Sequence, residues 1–287
     1  MSFAELLAED ARLIEERLDR AMAAFGDAPV VQAMRYAVRG GKRLRGFLVL
    51  ESARMLGVSS AQSISAAAAV EALHAYSLVH DDLPCMDDDD LRRGQPTVHR
   101  KWDEAVAVLC GDALQTLAFE LLTDPALGSS EVRLALVLGL AQASGAEGMV
   151  LGQALDMAAE TATDLTLADI TALQAGKTGA LIRFAAEAGA ILAGADRGPL
   201  RDYATALGLA FQIADDILDV TGDATKAGKR LGKDQAAGKA TFVSLLGLEA
   251  AKDRAQALIL QAEAALAPYT ARHNLIEAAR FVIARES

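Results

Sequence analysis

Cysteine, proline and aromatic residues are scarce in this chain of 287 residues. It has two cysteines, six prolines and one tryptophan, and aromatic side chains make up 5% of it. Two cysteines without metal-type spacing argue against a disulfide or zinc scaffold and predict a reduced, cytoplasmic protein. The shortage of aromatics and prolines, beside abundant alanine and leucine, favours helix throughout and gives little sign of strands.

Positive charge and long apolar runs are also lacking. Lysine and arginine number 28 against 39 acidic residues, a net charge of −11, which argues against general affinity for nucleic acid or anionic membrane. Because no uninterrupted apolar run reaches about 18 residues, no transmembrane helix and no stable membrane insertion are expected. The first ten residues are acidic where a signal peptide would be basic, so no export signal is predicted.

What the chain does have is helical periodicity over most of its length. Hydrophobic residues make up 52% of it, and neither a domain-scale linker nor a repeat interrupts the pattern. We therefore predict one all-α domain over residues 1–287, built of about ten or more helices. The predicted helices span residues 2–24, 29–38, 45–56, 60–80, 103–122, 130–159, 167–191, 198–221, 240–265 and 272–285.

The densest chemical signal is the stretch His80–Gly94, where six aspartates fall within ten residues. Crowded carboxylates raise each other's pKa, so a fold keeps them together only with a cation nearby. A solvated acidic loop is the alternative, but this run directly follows an apolar helical segment. On an unbroken helix Asp81 and Asp87 would point about 120° apart, and Pro84 predicts the break that would let them converge.

A second acidic cluster lies in the apolar segment 198–221. Asp215 and Asp219 are four residues apart, hence on one helix face, and Gln212 lies one turn before Asp215 or Asp216. Pairing with a buried arginine or lysine is the alternative to a metal site. Taken with the first cluster, carboxylates without a Cys or His ligand set favour Mg²⁺, which usually completes its shell with water and substrate phosphates.

Cations accompany both clusters. Gly40–Arg45 places three of them at a predicted helix start, where backbone N–H groups also favour an anion, although a surface turn would look the same. Arg92 and Arg93 either form exposed salt bridges with the aspartates or hold a phosphate. His74 shares a helix face with Asp81, but a core histidine would occupy the same position. Further candidates are Gly176–Gly179 with Lys177 and Thr178, the lysines of the glycine-rich segment 222–239, and Gln153 with Asp156 as supporting groups.

These features imply metal-assisted departure of a phosphate or diphosphate from a largely hydrocarbon substrate. Five motifs, in one order along nearly the whole chain, resemble those of the trans-type polyprenyl diphosphate synthases, and most closely the bacterial farnesyl diphosphate synthases. The matching segments are Gly40–Arg45, Glu71–Gly94, Gly176–Thr178, Phe211–Asp219 and the glycine- and lysine-rich segment that ends at Lys239.

The resemblance implies a single bundle around a central cavity, usually a homodimer, that condenses isopentenyl diphosphate head-to-tail with an allylic diphosphate. Three Mg²⁺ ions would bridge the allylic diphosphate to Asp81, Asp87 and Asp215, and Asp82 and Asp219 are further candidate ligands. The allylic diphosphate would also contact Arg92, Lys177, Thr178, Gln212, Lys229 and Lys239. Isopentenyl diphosphate would be held by Gly41, Lys42, Arg45, His74 and Arg93. Lys233 competes with Lys229, and Asp88, Asp89 and Asp90 have no assigned role.

Product length depends on the residues one turn before Asp81, which are Tyr76 and Ser77. A bulky Tyr76 resembles the farnesyl-forming type and predicts a C15 product, with C20 as the competitor. A non-catalytic subunit of a heteromeric synthase would be expected to lose one aspartate motif, and this chain keeps both. A terpene cyclase would not be expected to carry the Gly40–Arg45 segment. A calcium-binding protein is disfavoured because no Asp-x-Asp-x-Asp-Gly loop is present.

Overall fold

The computed structural model describes residues 2–160, 162, 164–221 and 240–284. Most of those residues are helical, which confirms the predicted fold class. The helices are α1 Phe3–Met22, α2 Pro29–Ala37, α3 Leu44–Met55, α4 Ser60–Asp81, α5 Val98–Lys101, α6 Glu104–Leu121, α7 Ser130–Ser144, α8 Met149–Ala159, α9 Leu167–Gln174, α10 Ala180–Ala193, α11 Gly198–Thr221, α12 Phe242–Leu246, α13 Leu248–Ala265 and α14 His273–Ala284. A short 3₁₀ helix spans Pro125–Leu127, and a π-helical turn, Ala175–Gly179, joins α9 to α10.

Several helix starts follow from local sequence. Ser2 and Glu5 form a capping box at α1, and the Ser59 hydroxyl accepts from the Gln62 N–H at α4. Asp103 caps α6 in the same way. Each oxygen satisfies a backbone N–H that has no partner within its helix.

Two predicted helices are interrupted. The segment 130–159 is divided into α7 and α8 by a turn over 145–148, and the segment 240–265 is divided into α12 and α13 at Gly247, which has φ +82°. The apolar pattern continues across both breaks, so periodicity alone did not reveal them. The predicted helix 167–191 contains the π-helical turn, which divides it into α9 and α10.

A small hairpin was not predicted. Strands β1 (Leu91–Arg92) and β2 (Gln95–Pro96) pair antiparallel through a two-residue turn. Both turn residues have positive φ, +52° at Arg93 and +73° at Gly94, as the tight hairpin turn that matches strand twist requires. Strands of two residues are too short to show a period of two in the sequence.

The chain divides into two compact units, described separately. The first comprises Met1–Leu138 with Ala188–Ala195, and the second Gly139–Glu187 with Asp196–Ser287. In the first unit α4 is buried on most sides, since small apolar residues line nearly all of its faces. In the second unit α11 packs against α13 and buries Leu207, Ala210 and Ile213. One domain over residues 1–287 stays a prediction.

One stretch of the described chain, Ser130–Ala159, is long and apolar enough to cross a membrane by length and composition. It consists of α7 and α8, which are separate helices, and single stretches of this kind also occur in the cores of soluble proteins. The finding is weak evidence for a membrane span.

Candidate active site

The first aspartate cluster lies where α4 ends and the chain turns back. Helical geometry stops at Asp81, three residues before Pro84, and the Asp87 N–H donates to the Asp81 carbonyl at 2.8 Å. The predicted irregularity is therefore present, and it returns Asp87 to the end of the helix. The Asp81 side chain is half-buried and that of Asp87 is exposed. Both carboxylates remain accessible to a ligand.

Asp82, unlike Asp81 and Asp87, is buried, and it forms an ion pair. Its side chain is 5% exposed, and its carboxylate accepts from the Arg92 Nε at 2.9 and 3.2 Å and also from Nη2. Burial raises the pKa of the Asp82 carboxyl, and the Arg92 guanidinium opposes that shift. The pair fixes the direction of Arg92. Metal binding by Asp82 stays a prediction.

Arg93 lies against the loop that precedes α3. Its Nη1 donates to the carbonyls of Arg39 at 3.0 Å and Gly40 at 3.2 Å. A Cβ on Gly41 would come within 2.7 Å of the Arg93 Cζ, and Gly41 has φ +84°. The positive φ favours glycine here, and a side chain at this position would also displace the Arg93 guanidinium. The hairpin turn thus brings Arg93 to the predicted anion-binding segment, where Lys42 is exposed.

His74 and Arg45 are neighbours in the same unit. The Arg45 Nη1 lies 3.4 Å from the His74 Nε2. Burial lowers the pKa of His74 well below its ordinary value, and the guanidinium groups of Arg45 and Arg93 lower it further. His74 is therefore neutral at neutral pH, and its Nε2 is available to accept from Arg45.

Tyr76 lies on α4, five residues before Asp81. Its side chain is 8% exposed, and its ring makes an edge contact with His80 at 5.3 Å between centroids. Burial raises the pKa of Tyr76, with further contributions from the carboxylates of Asp81 and Asp112. The Ser77 hydroxyl donates to the His74 carbonyl at 2.9 Å. Tyr76 is thus a bulky group close below Asp81.

In the second unit the π-helical turn carries Lys177 and Thr178. The Lys177 Nζ lies 2.6 Å from the Asp156 Oδ2, and the Asp156 side chain is 4% exposed. A Cβ on Gly152 of α8 would lie 1.9 Å from the Lys177 backbone N. The close approach of α8 to the turn brings Asp156 to Lys177.

A chain of hydrogen bonds leads from this turn to α11. The Thr178 hydroxyl donates to the Gln212 Oε1 at 3.2 Å, and the Gln212 Nε2 donates to the Asp216 Oδ1 at 3.3 Å. The buried Asp216 also accepts from the Phe242 N–H at 2.8 Å. Asp215 and Asp219 are partly exposed on α11. Asp216 therefore anchors the site residues, while Asp215 and Asp219 remain accessible.

Sequence reasoning assigned no role to Asp216 or Glu71, and it gave Asp156 only a possible supporting one. Helical spacing was the available signal, since Glu71 lies three residues before His74 and Asp216 lies four after Gln212. Lys229, Lys239 and the competing Lys233 lie outside the described residues.

The donor set bears on the kind of metal that could bind. Among the described residues no three His, Cys, Asp or Glu side chains are grouped closely enough to hold a metal ion. Mg²⁺ is commonly bound by one or two carboxylates together with water and substrate phosphates. The accessible pairs Asp81 with Asp87 and Asp215 with Asp219 fit that mode of binding.

Comparison with known proteins gives a consistent result. Residues 27–271 match the family model described as polyprenyl synthetase. The chain is 50% identical over 276 residues to farnesyl diphosphate synthase of Escherichia coli K12, covering 93% of this chain and 92% of that protein. It is 41% identical to a chloroplastic geranylgeranyl pyrophosphate synthase of Catharanthus roseus, covering 91% and 72%. The apo crystal structure of an FPP/GFPP synthase from Zymomonas mobilis superposes with a TM-score of 0.89 at 45% identity, covering 98% of each chain.

Proposed function

Because the chain belongs to the polyprenyl synthetase family, we propose that it condenses isopentenyl diphosphate head-to-tail with dimethylallyl or geranyl diphosphate to give farnesyl diphosphate, releasing diphosphate. The observation that carries the proposal is the 50% identity to a farnesyl diphosphate synthase over 93% of the chain. The five motifs that identify such an enzyme are all present in order.

Two cations of the described chain, Arg92 and Lys177, are proposed to bind the allylic diphosphate. Asp82 fixes Arg92 and Asp156 fixes Lys177, so each charge is placed before the substrate binds. Thr178 and Gln212 add a hydroxyl and an amide next to Lys177, and Lys229 and Lys239 are proposed to contact the same group. Fixed cations stabilise the negative charge that grows on the diphosphate as the allylic C–O bond breaks.

Asp81, Asp87 and Asp215 would hold Mg²⁺, with Asp82 and Asp219 as further candidates, and three ions are proposed per site. When bound, Mg²⁺ neutralises the diphosphate and favours its departure. The accessible carboxylates fit this ion because they supply hard oxygen donors and leave room for phosphate oxygens.

Isopentenyl diphosphate is assigned to the Gly41, Lys42 and Arg45 segment together with His74 and Arg93. Arg93 and Arg45 supply permanent charges, and the neutral His74 accepts from Arg45. The homoallylic double bond attacks the allylic cation, and a proton is then lost to the released diphosphate.

A C15 product is proposed because the bulky, buried Tyr76 lies about one turn before Asp81. A C20 product is the alternative, and a geranylgeranyl pyrophosphate synthase is among the similar proteins, at lower identity. Ser77, beside Tyr76, is the second residue proposed to limit the growing chain.

Assembly, domain organisation and location complete the proposal. We propose one domain over residues 1–287 and a homodimer, since Val108 and Leu109 on α6 and Leu134 and Leu138 on α7 are apolar yet exposed. The cytoplasm is proposed as the location because Cys85 is an exposed free thiol.

The decisive test is incubation of the purified protein with Mg²⁺, isopentenyl diphosphate and each allylic diphosphate in turn, followed by sizing of the products by chromatography. A C15 product is expected, and chelation with EDTA should abolish it. A dominant C20 product would favour the alternative. No product from any allylic substrate would overturn the enzyme assignment.

A further inference from the structure

We propose that the buried pair Arg43–Glu71 positions the segment that binds isopentenyl diphosphate, a role that rests on the proposed function. Neither residue was assigned to a substrate. Both side chains are 3% exposed, so neither is expected to touch the diphosphate. They are positioning residues that act through Lys42 and Arg45.

The Glu71 carboxylate joins α4 to the start of α3 at two points. Its Oε2 lies 3.5 Å from the Arg43 Nη1, and its Oε1 accepts from the Gly46 N–H at 2.9 Å. Arg45 lies between those two contacts in sequence, and His74 lies one helical turn after Glu71 on α4. One carboxylate thus ties together the two elements that carry Arg45 and His74.

Glu71 also replaces a missing helix cap. Arg43 is the N-cap residue of α3, and its side chain makes no capping hydrogen bond. Gly46 is the third residue of that helix, where an N-cap oxygen would normally accept from the backbone N–H. Because arginine has no acceptor atom, the oxygen comes from Glu71 of a different helix. The start of α3 is therefore fixed by α4.

The backbone at Arg43 needs this support. Its φ is +52°, in the left-handed region that residues with a Cβ rarely adopt. Its guanidinium donates to the Val38 carbonyl as well as facing Glu71. Those contacts hold the residue between Lys42 and Leu44 in a conformation that the chain would otherwise leave. Loss of the pair should release Lys42 and Arg45 together.

The experiment compares steady-state kinetics of Glu71→Gln and Arg43→Lys with the unaltered enzyme. Glutamine keeps an acceptor for the Gly46 N–H but removes the charge, and lysine keeps a charge but loses the guanidinium geometry. Each variant should raise the KM for isopentenyl diphosphate about tenfold, the size of effect typical of one disturbed pair in contact with its neighbours. The KM for the allylic diphosphate should stay within about twofold.

Asp10→Asn is the matched control. It breaks another ion pair in the same unit, in which the buried Asp10 accepts through Oδ2 from the Nη1 of the partly exposed Arg54 at 2.8 Å. Arg54 lies nine residues beyond Arg45, roughly 14 Å along α3. The control should lower the midpoint of thermal unfolding and leave both KM values unchanged.

The inference is supported if the KM for isopentenyl diphosphate rises alone in the two variants and not in the control. The inference is overturned if the KM values for both substrates rise together, or if the KM for isopentenyl diphosphate does not change. It is also overturned if the KM for isopentenyl diphosphate follows the unfolding temperature across all three variants. If Glu71→Gln does not fold, the same criteria apply to Arg43→Lys. Activity of the unaltered enzyme tests the proposed function separately, since the inference concerns only the ratio between substrates.

Discussion

Buried carboxylates hold two of the cations that we assign to the allylic diphosphate. Asp82 and Asp156 are 4% and 3% exposed, and they face Arg92 and Lys177. A fixed partner restricts each long side chain to a few rotamers, which reduces the entropy lost when substrate binds. Replacing Asp82 or Asp156 by a neutral residue would therefore leave a partly buried cation without this carboxylate, which costs free energy of folding.

Tyr76→Ala tests how this chain limits its product. Removing the ring should open space one turn below Asp81, so the proportion of products longer than C15 should rise to dominance. Chromatography of the products formed from isopentenyl and geranyl diphosphate measures the change.

Tyr269→Ala is the control for this variant, since it makes the same chemical change after α13, at a residue with no assigned role. It should still yield C15. An unaltered product from Tyr76→Ala would contradict the assignment of Tyr76 as the limiting residue.

At the scale of elements, several of the proposed site residues lie where regular structure is interrupted. Asp81 ends α4, Arg93 occupies a hairpin turn, and Lys177 lies in a π-helical turn. Such turns re-aim side chains that a continuous helix would direct elsewhere, and π-helical insertions are frequent at functional sites. The long helices act as the support for these positions.

Gly152→Ala tests the contact that sets the π-helical turn. The added Cβ would lie 1.9 Å from the Lys177 backbone N, so backbone must move. We expect a loss of about 1–3 kcal/mol in the free energy of unfolding, as for other overpacked sites, together with a lower kcat because Lys177 is displaced. Urea unfolding and steady-state kinetics measure the two effects.

Gly26→Ala is the matched control, because a Cβ there would meet nothing within 4 Å. It should leave both quantities unchanged or raise stability slightly by restricting the unfolded chain. A Gly152→Ala variant of normal stability and activity would show that α8 and the turn can separate without consequence.

At the scale of the whole molecule, the proposed homodimer can be tested at two exposed leucines on α7. Leu134 and Leu138 are four residues apart on one helix face and are 68% and 57% exposed. The double variant Leu134→Glu/Leu138→Glu should convert the proposed homodimer to monomer by placing charges in an apolar interface. Sedimentation velocity measures the change.

Leu260→Glu controls for added surface charge, since Leu260 is 58% exposed on α13 in the second unit. It should leave the sedimentation coefficient of the dimer unchanged. A double variant that sediments like the unaltered protein would exclude α7 from the interface.

Sequence patterns predicted helix ends well where the residues that determine them are close together in the chain. The ends of α4 and α11 agree with prediction within one residue, because apolar periodicity and the Ser59 cap are properties of a few neighbouring residues. The breaks within 130–159 and 240–265 were missed since the apolar pattern runs through them. The hairpin was missed because two-residue strands carry no pattern.

The amino-acid sequence by itself determined the helical class, the order of the five motifs and the residue types that diphosphate and Mg²⁺ chemistry requires. Tertiary structure decided which of those side chains have partners. Glu71 reaches Gly46, and Asp156 reaches Lys177, across 25 and 21 residues of chain. Helical spacing gives the face on which each carboxylate lies, but its partner belongs to another element. Only the close packing of those elements, as at Gly41 beside Arg93 and Gly152 beside Lys177, brings the two together.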